Sequence, residues 1–365
     1  MKYYIIAGEP SGDLHASNLA RALRKKDPAA VFRAWGGDLL KAEGATLVKH
    51  FRDLAFMGFA EVILHLRTIL RNISFCKKDI AGWKPDAVIL VDYPGFNLRI
   101  APAMKEMGIP VFYYISPQVW AWKQSRVHKI RETVDRMFCI LPFEVDFYRK
   151  FDFKAEFVGH PLLDAIESWA DELPLQDDGR KIIALLPGSR RQEIKKILPV
   201  MLEAANQFPQ YRFVIAGAPS QPVSLYETIM DGNKTEIIFG KTYSLLKKSY
   251  AALVTSGTAT LEAALFGVPE VVCYSGSLIS YAIARKLVKV KYISLVNLVM
   301  DREVVTELIQ REMTVSNMVH ELKKITEDEH RRSSLLNDYE LLRKKLGGSG
   351  ASEKTAGRIL EYLKK

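Results

Sequence analysis

The chain is poor in cysteine: Cys76, Cys139 and Cys273 are the only three among 365 residues, and they lie far apart in sequence. They form no CxxC pair, which argues against both a zinc site of the usual spacing and a disulfide framework. We therefore expect three reduced and mostly buried cysteines, as in a cytoplasmic protein.

Long apolar runs are missing as well. No stretch reaches the roughly 18 apolar residues that a membrane-spanning helix needs, and the chain starts with strand-like residues, so no signal peptide is visible. Any membrane contact is therefore expected to be peripheral. Acidic residues are fewer than basic ones, 42 against 52, and the formal net charge is +10. This excess favours nucleic acid, anionic lipid or phosphorylated substrates as partners, although ordinary basic enzymes also carry it.

Apolar strand patterns alternate with helical patterns, which predicts parallel sheets joined by right-handed helical crossovers. Strands are predicted at 3–7, 31–35, 46–48, 86–91, 110–115, 136–140, 155–158, 181–186, 211–217, 235–239, 251–255 and 269–274. Helices are predicted near 13–26, 58–80, 97–107, 123–132, 143–150, 191–207, 242–249, 257–266 and 278–288.

The segment 159–180 breaks this alternation and ends in an acidic, turn-rich stretch, so we place a linker there. Pro199 is expected to begin a new helical turn rather than to lie inside a helix. After residue 301 the pattern predicts helices only, and the last of them covers 351–365.

Two buried strands run into glycine- and serine-containing loops that open a helix. The first loop is Gly8-Glu9-Pro10-Ser11-Gly12-Asp13, and the second is Pro187-Gly188-Ser189-Arg190. Such loops leave the first N–H groups of the helix free to face an anion. Two openings of this kind predict two Rossmann-like halves with a crevice between them, where nucleotides usually bind.

The segment Ser256-Gly257-Thr258 follows another buried strand of the second half. Ser256 or Thr258 can cap the next helix, whose first N–H groups would then cradle a diphosphate. Glu262 can accept both hydroxyls of a ribose, and the Arg190 guanidinium suits phosphate. The alternatives are a capped helix with a solvent-facing glutamate and a surface arginine beside Glu193.

Asp92 stands directly after the all-apolar strand 87–91. A carboxylate at this edge lines the crevice of a doubly wound sheet, and partial desolvation would raise its pKa toward that of a general base. The alternative is an aspartate that caps the following helix. Glu9, Asp13 and His15 are a second candidate acid–base set.

Two segments carry aromatic or apolar surface. Ser116–Trp122 follows a strand, and its two tryptophans suit a sugar face, a lipid interface or the packing of a domain. Helix 58–73 has a wide apolar arc edged by Arg67 and Arg71, which is typical either of a core helix or of an interfacial helix. Its candidate membrane contacts are Val62, Ile63, Leu66, Ile69 and Leu70.

Taken together, the motifs resemble those of the lipid-A-disaccharide synthase family of membrane-associated glycosyltransferases, in order and spacing, along nearly the whole chain. The segments that carry the resemblance are 8–13, 56–59 (Phe-Met-Gly-Phe), 94–97 (Pro-Gly-Phe-Asn), 116–122 (Ser-Pro-Gln-Val-Trp-Ala-Trp), 141–144 (Leu-Pro-Phe-Glu), 158–160 (Val-Gly-His), 186–190 (Leu-Pro-Gly-Ser-Arg), 256–258, 284–288 and 292–295.

The resemblance implies an α/β fold of GT-B architecture, in which two Rossmann-like domains face each other across a cleft. Residues 1–160 with 350–365 would form the acceptor- and membrane-facing domain, and 161–349 the UDP-sugar donor domain. The implied reaction transfers 2,3-diacylglucosamine from UDP-diacylglucosamine to the 6-hydroxyl of the acceptor, diacylglucosamine 1-phosphate. The products are a β(1→6) disaccharide 1-phosphate and UDP.

The resemblance also implies roles for individual residues. Asp92 would be the catalytic base, with no metal ion and no cofactor. The acceptor-side residues would be Glu9, Ser11, Gly12, Asp13, Asn97, Ser116 and Trp120. The UDP-binding residues would be Gly188, Ser189, Arg190, Ser256, Gly257, Thr258, Glu262 and Asn297. The enzyme would lie on an anionic membrane surface, at the cytoplasmic face of the inner membrane, and would bind no nucleic acid.

Three positions depart from the family pattern: Gly95 stands where a second carboxylate is expected, Ser275 replaces an arginine, and Val296 replaces a proline. Rival functions are another GT-B enzyme with a lipid-linked acceptor, a UDP-sugar epimerase, and a basic nucleic-acid-binding α/β protein. A dinucleotide-dependent dehydrogenase is disfavoured, because the first loop lacks GxGxxG.

Overall fold

The computed structural model describes residues 1–54, 66–169, 178–276 and 291–364. The chain divides into two compact units. The N-terminal unit comprises Met1–Asp164 and Leu346–Lys365, and the C-terminal unit comprises Ala165–Lys345. The N-terminal unit is therefore built from two separate stretches of sequence, whereas the C-terminal unit is continuous.

Every strand predicted from the sequence is present, with ends that differ by at most two residues. The strands are β1 Lys2–Ala7, β2 Val31–Gly36, β3 Thr46–His50, β4 Ala87–Val91, β5 Val111–Tyr114, β6 Arg136–Cys139, β7 Ala155–Phe157, β8 Ile182–Leu186, β9 Arg212–Gly217, β10 Glu236–Phe239, β11 Ser249–Thr255, β12 Glu270–Tyr274 and β13 Glu307–Ile309.

The helices lie between these strands and follow the last of them. They are α1 Pro10–Lys26, α2 Asp38–Ala42, α3 Leu66–Trp83, α4 Pro94–Glu106, α5 Val119–Trp122, α6 Arg126–Thr133, α7 Pro142–Arg149, α8 Pro161–Glu167, α9 Arg191–Ala205, α10 Val223–Met230, α11 Thr242–Lys248, α12 Thr258–Leu265, α13 Leu295–Met300, α14 Val315–Glu327, α15 Glu329–Lys345 and α16 Ala351–Leu363. The predicted helix at 278–288 and the first part of the one at 58–80 lie outside the described residues.

Two predictions about local structure were wrong. The region after residue 301 is not purely helical, because β13 pairs with β12 at the edge of a sheet. Three residues are too few to show a strand period in the sequence. Pro199 lies inside α9 rather than at the start of a turn. The neighbouring residues Ile197, Leu198 and Met201 are fully buried, and their packing offsets the hydrogen bond that proline cannot donate.

Within the described residues, each unit contains one parallel sheet covered by helices. The N-terminal sheet has the order β3-β2-β1-β4-β5-β6-β7, and the C-terminal sheet has the order β10-β9-β8-β11-β12-β13. The chain order reverses between β1 and β4 in the first sheet and between β8 and β11 in the second. Loops at the carboxyl ends of such strand pairs diverge and leave a crevice. All four loops there were singled out in the sequence.

The final helix completes the core of the N-terminal unit. Ala356, Ile359 and Leu360 of α16 are buried in the same apolar cluster as the alternate residues 3, 5 and 7 of β1. The Asp164 carboxylate accepts hydrogen bonds from the backbone N–H groups of Gly350, Ala351 and Ser352 at 2.6–3.3 Å. A carboxylate at this position satisfies N–H groups that an α-helix leaves free at its start.

A partly buried polar network fastens α3 to the first two strands. Asp79 accepts two hydrogen bonds from the Arg33 guanidinium at 2.6 and 2.8 Å and one from the Tyr4 hydroxyl at 2.7 Å. The Trp35 indole N–H donates to the same hydroxyl at 2.9 Å. Burial alone would raise the pKa of Asp79, but the Arg33 and Tyr4 hydrogen bonds outweigh burial and lower it.

We predict that Asp79→Ala lowers the free energy of unfolding by about 3 kcal/mol, because it leaves a guanidinium and a phenol without their partner. The side chains of Arg33 and Asp79 are only 28% and 13% exposed. Urea-induced unfolding followed by circular dichroism measures the loss.

Asp146→Ala is the matched control. Asp146 pairs with Arg149 one helical turn away, and both side chains are well exposed, so its loss is expected to cost at most about 0.5 kcal/mol. Equal losses for the two variants would contradict the structural importance of the Asp79 network.

Candidate functional site

The loops that follow β1 and β4 approach each other closely. A Cβ atom placed on Gly8 would lie only 2.3–2.5 Å from three ring atoms of Tyr93. The Tyr93 ring therefore rests against the backbone of the first loop, and Gly8 is required because no larger residue fits. This contact places Glu9 and Asp92 on neighbouring loops at the same edge of the sheet.

Asp92 and Tyr93 both have left-handed backbone conformations, with φ of 45° and 46°. L-residues with side chains avoid this region, so the turn is strained. The carbonyl oxygen of Asp92 accepts hydrogen bonds from the Asn97 amide at 2.7 Å and from the Tyr113 hydroxyl at 2.5 Å. The same amide reaches the carbonyl of Val91 at 3.3 Å. These contacts hold the backbone that follows β4 in its left-handed conformation.

The Asp92 carboxyl has a pKa of about 7. Burial is the main cause, and the negative charge of Glu9 raises the pKa further, while a backbone hydrogen bond from Tyr93 lowers it. A carboxyl with a pKa near neutrality can exchange a proton under physiological conditions, as a general base must.

Other predicted residues of the first loop differ in accessibility. Ser11 is exposed in the first turn of α1, and Gly12 is buried. The Asp13 carboxylate is buried and accepts hydrogen bonds from the N–H groups of Gly37, Leu39 and Leu40 at 2.7–3.3 Å. Asp13 thus fixes the start of α2, and its direct contact with an acceptor stays a prediction. Burial lowers the pKa of His15 to about 4, so this imidazole is neutral at physiological pH.

Asn97 acts on the site through the backbone. Its side chain is fully buried at the sheet edge. There the amide NH2 group donates hydrogen bonds to the backbone carbonyls at the end of β4. The alternative in which Asp92 caps a helix is not realised, since Tyr93 precedes α4 and no side chain caps it. Contact of the Asn97 amide with an acceptor stays a prediction.

Ser116 and Trp120 belong to a buried network after β5. The Ser116 hydroxyl lies 2.9 Å from the Tyr148 hydroxyl, and the Trp120 indole N–H donates to Glu144 at 3.2 Å. Glu144 also accepts hydrogen bonds from the N–H groups of Ile140 and Leu141, and burial raises its pKa to about 7. Sequence reasoning quoted Glu144 within a motif but gave it no role. Glu144 follows Leu141 by three residues at a helix start that contains a proline. This capping-box spacing was the signal in the sequence that could have identified it.

In the C-terminal unit, the loop that follows β8 lies in close contact with the end of β11. A Cβ atom on Gly188, which has φ of 109°, would lie 3.1 Å from the Thr255 methyl group and 2.8 Å from a Glu193 carboxylate oxygen. Ser189 and Arg190 are exposed. The Arg190 guanidinium makes a single 3.3 Å contact with Glu193, so it can reorient toward an anion.

The start of α12 corrects one expectation. Neither Ser256 nor Thr258 caps this helix: the cap residue is Gly257, and no side chain accepts a hydrogen bond there. The Ser256 hydroxyl instead donates to the carbonyl of Ile293 at 3.0 Å. Gly257 and Thr258 are exposed, and the first N–H groups of the helix keep their capacity to bind an anion.

Asn297 and Glu307 organise the segment that receives Ser256. Glu307 accepts hydrogen bonds from the N–H groups of Ile293 and Ser294 and from the Asn297 amide, all at 2.9–3.2 Å. The side-chain oxygen Oδ1 of Asn297 accepts hydrogen bonds from the N–H groups of Val304 and Val305. Asn297 is fully buried, so its contact with UDP stays a prediction. Sequence reasoning missed Glu307, because nothing local marks it.

Glu262 lies on α12 beside aromatic side chains. The Tyr243 hydroxyl donates to its Oε1 at 3.4 Å. Burial raises the pKa of Glu262 to about 7, although the Tyr243 hydrogen bond lowers it. The carboxyl therefore ionises near neutrality, and its ionised form accepts hydroxyl hydrogen bonds strongly. Sequence reasoning missed Tyr243 as well.

The candidate membrane contacts are only partly described. Val62 and Ile63 lie outside the described residues, and Leu66 begins α3. Ile69 packs in part against the core, whereas Leu70 is 53% exposed. Trp122 is 44% exposed, and its ring is flanked by Lys123 at 4.8 Å and Arg126 at 5.1 Å. Among the described helices none has the length and apolar character to cross a bilayer.

The described parts of the chain bring together no group of three histidine, cysteine or acidic side chains that could hold a metal ion. Cys76, Cys139 and Cys273 are free thiols and are buried, as predicted.

Comparison with known sequences gives a match over nearly the whole chain. Residues 3–359 match the family described as lipid-A-disaccharide synthetase. The lipid-A-disaccharide synthase of Syntrophus aciditrophicus is 42% identical over 374 residues, which cover 99% of this chain and 97% of the relative. The enzyme of the same name from Myxococcus xanthus is 39% identical over 371 residues, covering 98% and 97%.

Comparison with solved structures gives the fold. A UDP-N-acetylglucosamine 2-epimerase from Neisseria meningitidis, bound to UDP-N-acetylglucosamine, superposes with a TM-score of 0.67 at 14% identity and covers 100% of both chains. The calicheamicin glycosyltransferase CalG4 gives 0.65 at 15% identity, covering 100% of this chain and 98% of the other. These neighbours and the two parallel sheets confirm the prediction of an α/β fold of the GT-B type with two Rossmann-like units.

We predict that Gly8→Ala lowers the free energy of unfolding by about 1–3 kcal/mol, because the added methyl group displaces the Tyr93 ring. In a Tyr93→Ala background the same change should cost less than about 0.5 kcal/mol, since the obstructing ring is gone. Urea unfolding of the two single variants and the double variant measures the coupling.

Gly95→Ala is the control in the same loop. Nothing lies within 4 Å of a Cβ at Gly95, so its effect should stay within about 0.5 kcal/mol. Additive losses at Gly8 and Tyr93 would show that the two loops do not touch as described.

Proposed function

The chain belongs to the lipid-A-disaccharide synthetase family, and we propose that its two units divide the reaction, with the donor on the C-terminal unit and the acceptor on the N-terminal unit. It is a disaccharide-forming glycosyltransferase. The donor is UDP-2,3-diacylglucosamine, and the acceptor is 2,3-diacylglucosamine 1-phosphate. Family membership favours this transfer over the rival epimerase and nucleic-acid-binding functions.

The single observation that carries the mechanism is the Asp92 carboxyl, with its pKa of about 7, on a strained turn at the switch point of the N-terminal sheet. Asp92 takes the proton of the acceptor 6-hydroxyl as that oxygen attacks the anomeric carbon of the donor. A new C1–O6 bond forms while the bond from C1 to the diphosphate oxygen breaks, and the electron pair leaves with UDP. One displacement with one base inverts the anomeric centre and gives the β(1→6) linkage.

Negative charge develops on the diphosphate as it leaves, and positively charged or N–H groups must stabilise it. Arg190 supplies a mobile guanidinium, and the loops Gly188–Arg190 and Ser256–Thr258 supply backbone N–H groups at the starts of α9 and α12. Glu262 accepts the ribose hydroxyls. Glu307 and Asn297 support this arrangement by holding the backbone that Ser256 contacts. The proposed chemistry uses no metal ion and no cofactor.

The acceptor side combines Glu9, Ser11 and Gly12 of the first loop with the network around Ser116 and Trp120. Asp13 and Asn97 contribute by fixing the backbone of α2 and of the Asp92 turn. Both substrates carry acyl chains, so the enzyme must work at a lipid surface. We place it at the cytoplasmic face of the inner membrane as a peripheral protein that does not bind nucleic acid.

We predict that Asp92→Asn lowers kcat about 10²–10⁴-fold, because the amide cannot accept the proton, while the Kd for UDP is unchanged. The rate is measured as UDP release from both substrates in detergent micelles with EDTA, and UDP binding is measured by calorimetry. In the unsubstituted enzyme, kcat/KM for the acceptor should rise tenfold per pH unit below about pH 7 and level off above it, since only the ionised carboxylate acts as a base.

Asp146→Asn, an exposed aspartate of the same unit, should leave rate and pH profile unchanged. Glu9→Gln removes a charge that raises the Asp92 pKa, so the inflection should move to lower pH. Equal loss of turnover and UDP binding in Asp92→Asn would contradict the base assignment, and absence of turnover by the unsubstituted protein would overturn the proposed reaction.

We predict that the double variant Leu70→Ser, Trp122→Ser binds vesicles of phosphatidylethanolamine and phosphatidylglycerol about tenfold more weakly. Each side chain loses apolar area that the membrane would cover, while the exposed Arg67 and Arg71 keep their attraction to anionic lipid. Co-sedimentation measures the bound fraction.

Leu341→Ser is the matched control, because Leu341 is 49% exposed on α15 of the C-terminal unit. It should bind vesicles like the unsubstituted protein. If the control lost binding as strongly as the double variant, the proposed contact surface would be wrong.

A further inference from the structure

Two neighbouring helices of the C-terminal unit each carry a pair of side chains, spaced four residues apart, and three of these four side chains contact one tryptophan. Helix α11 contributes Tyr243 and Lys247, and α12 contributes Glu262 together with Phe266 at its end. Residues four apart lie on the same face of an α-helix. Trp169, which follows α8, contacts both helices.

The three aromatic rings contact one another in pairs: Trp169 meets Tyr243 and Phe266 edge-on, and the rings of Tyr243 and Phe266 are tilted against each other. The ring centroids lie 6.1 Å apart for Trp169 and Tyr243, 5.8 Å for Trp169 and Phe266, and 5.2 Å for Tyr243 and Phe266. The Lys247 ammonium lies 5.5 Å from the Trp169 ring centroid. Trp169 and Phe266 therefore restrict the Tyr243 ring from two sides, so the fold determines the position of its hydroxyl.

The Tyr243 hydroxyl is directed at Glu262, the residue assigned to the ribose. It donates to Oε1 at 3.4 Å, a separation at the long end of the hydrogen-bond range, which ligand binding can shorten. No other hydrogen bond to the Glu262 carboxylate is found within the described residues. The Tyr243 hydrogen bond therefore orients this carboxylate. It occupies Oε1 and leaves Oε2 available to a ligand.

We propose that Tyr243, clamped between Trp169 and Phe266, is a positioning residue that aims the Glu262 carboxylate at the ribose hydroxyls of the donor. This inference rests on the proposed donor role of the C-terminal unit. Glu262 contacts the nucleotide, and Tyr243 acts only through Glu262. The hydrogen bond also favours the ionised carboxylate, which is the better acceptor for hydroxyl groups.

The test is a comparison of two ligands in four proteins by titration calorimetry. The ligands are UDP and 2′,3′-dideoxyuridine diphosphate, which lacks both ribose hydroxyls. The proteins are the unsubstituted chain, Tyr243→Phe, Glu262→Gln and the control Tyr226→Phe. The control removes another buried tyrosine hydroxyl of the same unit, one that accepts a hydrogen bond from the Ala218 N–H at 2.8 Å.

We expect Tyr243→Phe to raise the Kd for UDP about three- to tenfold and to leave the Kd for the dideoxy ligand nearly unchanged, because the effect passes through the ribose hydroxyls. In the transfer reaction, KM for the donor should rise by the same factor with kcat unchanged at saturating donor. Glu262→Gln should show the same ligand selectivity, and Tyr226→Phe should bind both ligands normally.

The outcomes distinguish a failure of the Tyr243 positioning role from a failure of the donor assignment. If Glu262→Gln weakens UDP selectively but Tyr243→Phe does not, or if Tyr243→Phe weakens both ligands equally, the positioning role is overturned and the donor site stands. If the unsubstituted protein binds no UDP, the donor assignment fails and takes the positioning role with it.

Discussion

The conformation of the Asp92–Tyr93 turn is the constraint on which the proposed chemistry depends. Two successive left-handed residues cost free energy, of the order of 1–3 kcal/mol each, and the surrounding structure must supply it. The Asn97 amide and the Tyr113 hydroxyl do so by bonding the Asp92 carbonyl, and the glycine at position 8 leaves room for the Tyr93 ring. The left-handed backbone of Asp92 ends the regular geometry of β4 at this residue.

Five of the carboxylates described above fall into two groups according to how many hydrogen bonds they accept. Asp13, Asp164 and Glu307 each accept at least three hydrogen bonds, and so they hold backbone in place. Asp92 and Glu262 are half-buried and accept far fewer hydrogen bonds, and their pKa values rise to about 7. In these two carboxyls desolvation outweighs the few hydrogen bonds and keeps the pKa near neutrality, which suits them to exchange a proton or to accept hydroxyl groups.

The sequence was sufficient to predict the strands, because runs such as 87–91 are apolar throughout and are followed by a glycine or an aspartate. It also singled out Asp92 and Glu262 as candidate site residues, since side chains that follow a parallel strand or open the next helix lie at the edge where ligands usually bind. It did not show that backbone groups enclose the side chains of Asn97 and Asn297, nor that Glu307 and Tyr243 form the hydrogen bonds described above. Those roles depend on contacts between residues 10 to 19 positions apart or on a turn conformation that no local pattern encodes. The edge strand β13 was too short to be recognised.

The N-terminal unit is assembled from both ends of the chain, and this has a consequence for biosynthesis. The apolar cluster around β1 lacks Ala356, Ile359 and Leu360 until α16 has left the ribosome, and until then Asp164 lacks the N–H groups of residues 350–352. The continuous C-terminal unit, by contrast, has all of its sequence available earlier. The half of the protein that is translated first is therefore the half that finishes folding last, and a ribosome that stops short of α16 releases a chain whose first domain has an open core.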